Sequence, residues 1–222
     1  MSFAVSRRLV LADRLIGRSL LGDIGLVAGG VLFTAVLAQV SIELPIVPIT
    51  GQTLAVLLVG ATLGAARGAL SMIVYAAAGA AGLPVFSGLS SGVHVLLGTT
   101  GGFIVSYVVS AAFVGWLSEQ AWDRRRVTAM LTFLGGTVVT FAIGVPWLYA
   151  SLTRLGPEVW RAEGYDSALA AAFGLGLLPF IPGGIIKAGL AAVLIPLCWR
   201  GADALEARRE RRRSAAASAP VG

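Results

Sequence analysis

Charge is scarce in this 222-residue chain, and what is missing narrows the reading before any motif is considered. Charged residues make up only 13% of it and hydrophobic ones 57%. A soluble domain averages about 25% charged residues, so a water-exposed globule is excluded. The chain reads as an all-α integral membrane protein, in keeping with a mean hydropathy of +0.86. One cysteine, Cys198, excludes an intrachain disulfide and a cysteine-based metal site. One histidine, His94, belongs to no cluster, so neither a metal nor a cofactor is expected. No GxxxxGK[ST] run occurs, so an ATP-driven process would need its ATPase on another chain. Lysine occurs once, as Lys187, inside the otherwise apolar PFIPGGIIKAGLAA.

Glycine and arginine are abundant by contrast, and both follow a pattern. The net charge of +6 comes from arginines at the ends and in short loops, which is a topological signature rather than a nucleic-acid footprint. Residues 1–22 alternate arginines with leucines, as in a basic helix lying on a membrane surface or an irregular leader. No removable signal peptide is expected, because Arg7, Arg8, Arg14 and Arg18 interrupt the apolar stretch.

At roughly 20 residues per span, residues 23–199 hold about six membrane helices in a single domain. The first runs from Ile24 to Ser41, with Gly30, Thr34 and Ala38 spaced four apart, a face suited to close helix packing and to a coupling partner. Glu43 to Thr53 carries Pro45, Pro48 and Gly51 and reads as an ordered loop. Two short runs follow, Thr53 to Leu63 and Ala66 to Ala81, joined at GAARG. From Gly79 to Gly102 glycine recurs too often for a helix, and non-helical backbone at membrane depth must be buried or line a cavity.

A fourth span, Gly102 to Leu117, ends at an arginine run, Arg124 to Arg126. The fifth, Thr128 to Ala150, carries Pro146, which predicts a kink or an early end. Ser151 to Asp166 is polar, with Trp147, Tyr149, Trp160 and Tyr165 around it as interface anchors. A short helix, Ala168 to Leu178, leads into the last span, which closes near Trp199. Residues 200–222 read as a basic, disordered tail. With both termini in the cytoplasm, only Arg154 and Arg161 fall on the outer side.

A lone cation at membrane depth costs about 2.5–3.5 kcal/mol on insertion scales, so Lys187 needs a partner, a cavity or the interface. Pro182, Gly183 and Gly184 before it suit a helix that begins abruptly beside a cavity.

Four stretches carry a family resemblance: PITGQTLAVLLVGATLGAARGAL, YAAAGAAGLPVFSGLSSG, LLGTTGGFIVSY and LPFIPGGIIKA. Their order and spacing, from about Gly25 to Trp199, resemble BioY, the biotin-binding membrane component (S component) of energy-coupling factor (ECF) transporters. The resemblance implies a six-transmembrane-helix bundle in the plasma membrane that captures biotin from outside. It also implies docking onto a transmembrane coupling protein that carries two cytoplasmic ATPases. By resemblance, Lys187 meets the biotin carboxylate, and Phe86, Ser87 and Gly88 lie in a ligand-contacting loop spanning Gly82 to Gly102. Ser90, Gly101, Gly102 and the aromatic wall Tyr107 complete the expected site. The chain departs from the family pattern PGDxxK, having Gly184 where an aspartate serves the ureido head, and from GPTGG, having Thr99 in place of proline.

Two further readings stand beside this one. The missing aspartate motivates a solitary facilitator, or an S component for another small vitamin. GLSSG, residues 88–92, matches the GxSxG nucleophile elbow of a serine hydrolase, but His94 lies only four residues past Ser90 with no acid between, contrary to that motif's order.

Overall fold

In a computed structural model that describes residues 10–16 and 19–217, helix dominates. The chain begins with α1 (Leu11–Ile16) and α2 (Leu20–Ala38), the latter capped by Ser19 accepting from Gly22 N–H. A short antiparallel pair follows, β1 (Ser41–Ile42) with β2 (Ile49–Thr50), so the proline-bearing loop is folded into a hairpin. Next come α3 (Gln52–Leu63) and α4 (Ala65–Ala80). Between them Gly64 adopts φ +85°, a conformation open to glycine at little cost, which lets the chain reverse in one residue.

The glycine-rich segment contains a tight turn at Ser87–Leu89 and the small helix α5 (Val93–Leu97) before α6 (Gly101–Glu119). Thus the expected irregular loop is partly helical. α7 (Arg126–Leu155) runs through Pro146 to a break at Gly156, φ +104°, instead of ending near Ala150. Apolar surroundings tolerate the proline because neighbouring helices can re-satisfy the carbonyl that it leaves free. The polar stretch after it contains α8 (Pro157–Ala162), then α9 (Ala168–Gly176) and α10 (Phe180–Ala217).

Among the described residues, four helical segments are long and apolar enough to cross a membrane: Leu20–Ala38, Gly101–Glu119, Arg126–Leu155 and the combined Ala168–Arg208. Gln52–Leu63 and Ala65–Ala80 are shorter apolar helices. α6 is the hub, packed against α3, α4 and α7, and its buried stripe carries Ser106, Ser110, Gly115 and Ser118. Small residues are what allow such proximity: a Cβ on Gly115 would lie 2.4 Å from the Ala65 nitrogen.

Two expectations for the ends change. The described part of the N-terminal segment packs partly into the protein, with Val10, Leu11, Ala12 and Asp13 buried against α3 and α10 while Leu15 and Ile16 stay exposed. Asp13 finds Arg67 there at 2.6 Å, and Arg67 also holds Asp23 at 2.8 Å. Arg14 pairs with Asp203 at 2.9 Å and with Glu206. The expected disordered tail from Arg200 instead continues α10 to Ala217, with its first turns tied down by that pairing. Arg7, Arg8 and Arg18 lie outside the described residues.

The small-residue face of α2 is also spent inside the chain. Thr34 and Ala38 are fully buried, and a Cβ on Gly30 would meet Ser71 Oγ at 2.8 Å and Val59 at 3.1 Å. Gly30, Thr34 and Ala38 therefore pack α2 against α3 and α4 and are not a free surface for a coupling partner.

Candidate functional site

A cavity of about 250 Å³ lies where β2, the start of α3, the turn after α4, and the helices α6, α7 and α10 converge. Its wall on one side is aromatic: Phe103, Tyr107, Phe141 and Phe180. Phe103 stacks on Phe180 at 6.4 Å and meets Phe141 edge-on at 6.1 Å, so these rings hold one another in place. Its polar side carries Glu43, Thr50, Gln52, Thr53, Ser87, Ser90 and Thr100, and the Glu43 carboxylate accepts from Ser41 Oγ at 2.8 Å.

Lys187 reaches this polar side from α10. Its Nζ donates to the Thr50 carbonyl and, at 3.0 Å, to Thr53 Oγ1. Both acceptors are neutral, and no carboxylate pairs with Lys187 among the described residues. A partly buried ammonium with neutral partners, open to a cavity, is an anion-receptive group.

The cradle under Lys187 is itself braced. Thr50 Oγ1 donates to Gln52 Oε1 at 2.8 Å, Gln52 Nε2 donates to the Tyr75 hydroxyl at 2.6 Å, and that hydroxyl donates to the Val85 carbonyl at 2.8 Å. This chain of bonds ties the β-hairpin, α3, α4 and the following turn together around the cavity. Ser87 Oγ, which belongs to a cavity-lining residue, is buried without a hydrogen-bond partner among the described residues. A buried hydroxyl left unpaired costs about 1–3 kcal/mol, and a ligand would relieve that.

Of the residues expected from the sequence, Lys187, Ser87, Ser90 and Tyr107 meet at this cavity. The other five do not line it. Phe86 is 1% exposed and packs edge-on to Tyr75 at 5.5 Å, over Gly79. Gly88 supplies the turn, at φ +63°. Gly101 and Gly102 are close-packing positions, since a Cβ would fall 1.7 Å from the Leu96 carbonyl oxygen and 2.2 Å from Trp147 Cβ respectively. Gly184 faces an apolar groove with Thr137 and Pro146 on the far side of Phe141.

Trp147 is not a simple interface anchor either, because its Nε1 donates to the Gly98 carbonyl at 2.9 Å and fixes the entry to α6. Ser90 Oγ donates to the Ser87 carbonyl at 2.7 Å within a short turn, and His94 is exposed on α5. That is not the strand-turn-helix setting of a nucleophile elbow.

Sequence reasoning missed the hairpin's share of the site. Glu43, Val47, Pro48 and Thr50 all line the cavity, yet prolines and threonines in a loop carry no periodic signal. Phe103, Phe141 and Phe180 were equally silent, since an aromatic in an apolar helix reads as core.

A bundle of apolar helices around one aromatic-and-polar cavity with a single cation defines a membrane-embedded small-molecule-binding protein. The comparisons make that class specific: residues 10–204 match the profile of the BioY family, and the chain belongs to that family. It is 37% identical to the probable biotin transporter BioY of Pyrococcus horikoshii, over 78% of this chain and 93% of the relative. To the biotin transporter BioY of Rhizobium etli it is 34% identical, over 80% and 94% of the respective chains. Among solved structures, the S-component for biotin from an ECF-type ABC transporter shares the fold with a TM-score of 0.63, covering 81% of this chain and 92% of that one at 22% identity.

Proposed function

We propose that this chain is the membrane-embedded capture component for biotin uptake, working with an ECF coupling module powered by separate ATPases. The observation that carries the reading is Lys187, a cation held, among the described residues, by neutral oxygens beside a partly open cavity. Membership of the BioY family and relatives named as biotin transporters supply the ligand's identity. About 250 Å³ is just under the roughly 300–1,000 Å³ of drug-sized sites, which suits a compact vitamin.

Biotin's parts fit the cavity's chemistry. The carboxylate goes to Lys187 in a charge-assisted hydrogen bond, and the ring system goes to the aromatic wall that includes Tyr107. The ureido head takes the unpaired Ser87 hydroxyl, with Ser90 and Thr100 alongside. Binding and release require no catalytic step.

The four long segments and two shorter apolar helices are taken as six spans of the plasma membrane. Both termini are cytoplasmic and the cavity opens outward, because the arginine-rich ends and the Arg124–Arg126 run follow the positive-inside rule. The coupling protein and its two ATPases are separate chains, and they engage a surface other than the Gly30, Thr34 and Ala38 face.

Mass spectrometry of small molecules released from protein purified without added vitamin tests the ligand directly. Biotin should be recovered in proportion to protein. Recovery of a different vitamin would overturn the ligand assignment while leaving the capture role in place.

A further inference from the structure

The turn that carries Ser87 and Ser90 is closed by its own bonds, from Phe86 N–H to the Ser90 carbonyl at 3.1 Å and from Ser90 N–H and Oγ to the Ser87 carbonyl at 3.2 and 2.7 Å, yet its backbone is strained. Gly88 and Leu89 both lie in the left-handed region, at φ +63° and +57°. For leucine that conformation costs roughly 1–2 kcal/mol, which contacts from outside the turn help to offset. On one side the Phe86 ring is locked over Gly79. On the other stands Gln39, the residue that ends α2.

The Gln39 side chain spends its amide on this turn. Nε2 donates to the Phe86 carbonyl at 3.0 Å and to the Ala35 carbonyl at 3.1 Å, one of the last carbonyls of α2. Oε1 accepts from the Leu89 N–H at 3.0 Å. One amide therefore brackets the turn at both ends, 47 and 50 residues away in sequence, and anchors it to the end of α2. That helix is also the least buried of the long segments, with 11% of its apolar window inside the protein. Its inner end is tied by Asp23 to Arg67.

We infer that Gln39 is the positioning residue that keeps the Ser87–Ser90 turn facing the cavity, so that a displacement of α2 withdraws those hydroxyls from a bound ligand. The turn's two supports are unequal. Phe86 is buried packing that stays with α4, whereas the Gln39 bonds are exposed or part-buried and belong to a helix that leaves most of its apolar surface uncovered. Movement of α2 breaks the second set and leaves the first intact, which releases Ser87 and Leu89 without unfolding the bundle. The ligand part of this inference rests on the biotin reading above; the structural part does not.

The test uses the full chain in detergent with two variants. Gln39→Leu removes both bonds, and Gln39→Glu keeps an acceptor for Leu89 N–H but loses the donor to Phe86. Residue-resolved hydrogen exchange without ligand should show the Leu89 amide exchanging tenfold or more faster in Gln39→Leu. An intermediate change is expected in Gln39→Glu, and α6 amides should be unaffected in both. Loss of one or two net hydrogen bonds is of that order. Radiolabelled biotin should then dissociate five- to tenfold faster from Gln39→Leu at an unchanged association rate. Unaltered Leu89 exchange, or acceleration spread equally over α6, would overturn the role of Gln39. Should the wild type hold no biotin at all, the exchange result still decides the role of Gln39, and the biotin reading falls separately.

Discussion

Two basic side chains reach into this protein from opposite ends of α3, and they are treated differently. Arg67, which donates to the Leu63 carbonyl at the end of that helix, has two carboxylates of its own, Asp13 and Asp23. Lys187, at its start, has Thr50 and Thr53 and a cavity. The helix of 12 residues separates them by about 18 Å at 1.5 Å per residue. Where a charge is answered inside the chain it serves structure, as Arg67 does in joining α1, α2 and α4. Where it is answered only by neutral dipoles, the counter-charge is left for something that arrives.

The sharpest way to break this comparison is through stability. Arg67→Ala should destabilise the protein by about 1.5–3 kcal/mol, because it removes the guanidinium that bridges the buried Asp13 and the Asp23 carboxylates. Thermal unfolding in detergent would show it as a large fall in Tm. Lys187→Ala removes a desolvated ammonium together with its cost, so the ligand-free Tm should hold or rise. A fall comparable to that of Arg67→Ala would make Lys187 a structural residue and end the contrast.

A smaller effect sharpens the account of the ureido head. Ser87→Ala should weaken biotin binding about five- to tenfold, the scale of one neutral hydrogen bond in a buried site, with no loss of Tm. Titration calorimetry on both proteins makes the check, and equal affinities would assign the head group to other donors.

The smallest effect lies at the charged end. Asp123 is fully buried and accepts from Trp199 Nε1 at 2.8 Å, while Arg124 stacks on the same indole. Burial pushes its carboxyl up to about 6, against the lowering pull of Trp199 and Arg124. The folded state thus keeps a proton that the unfolded chain surrenders near pH 4, so stability declines as pH rises from about 4 through about 6. Asp123→Asn, which can still accept from Trp199, should flatten that decline and raise Tm at pH 7.5 by about 2–4 °C. A steeper pH profile in the variant would contradict this.

Much of the helical layout was legible because glycine and proline punctuate it. Leu63 and the GAARG turn closed α3 as expected, and Gly101 opened α6 within a residue of the reading. Composition alone gave the membrane class. What escaped detection depended on distant contacts. The tail from Arg200 reads as polar and irregular, yet Arg14 holds it to α1 through Asp203 and Glu206, a pairing that 189 and 192 positions of sequence conceal. Gly30, Thr34 and Ala38 were legible as a packing face, but a small-residue face does not say whether its partner is another chain or the next helix. At the site, Lys187 announced itself by being the one lysine. The walls did not, because Thr50 in a loop and Phe141 in an apolar helix look like any others until the fold brings them together.

Equilibrium binding of radiolabelled biotin to the purified wild type and to Lys187→Ala bears most directly on the central claim, that an unanswered cation waits for a small organic acid. The wild type should saturate at one biotin per chain, and the variant should lose tenfold or more in affinity while its Tm holds. Equal affinity in the two proteins would show that the ammonium and the ligand's carboxylate do not meet.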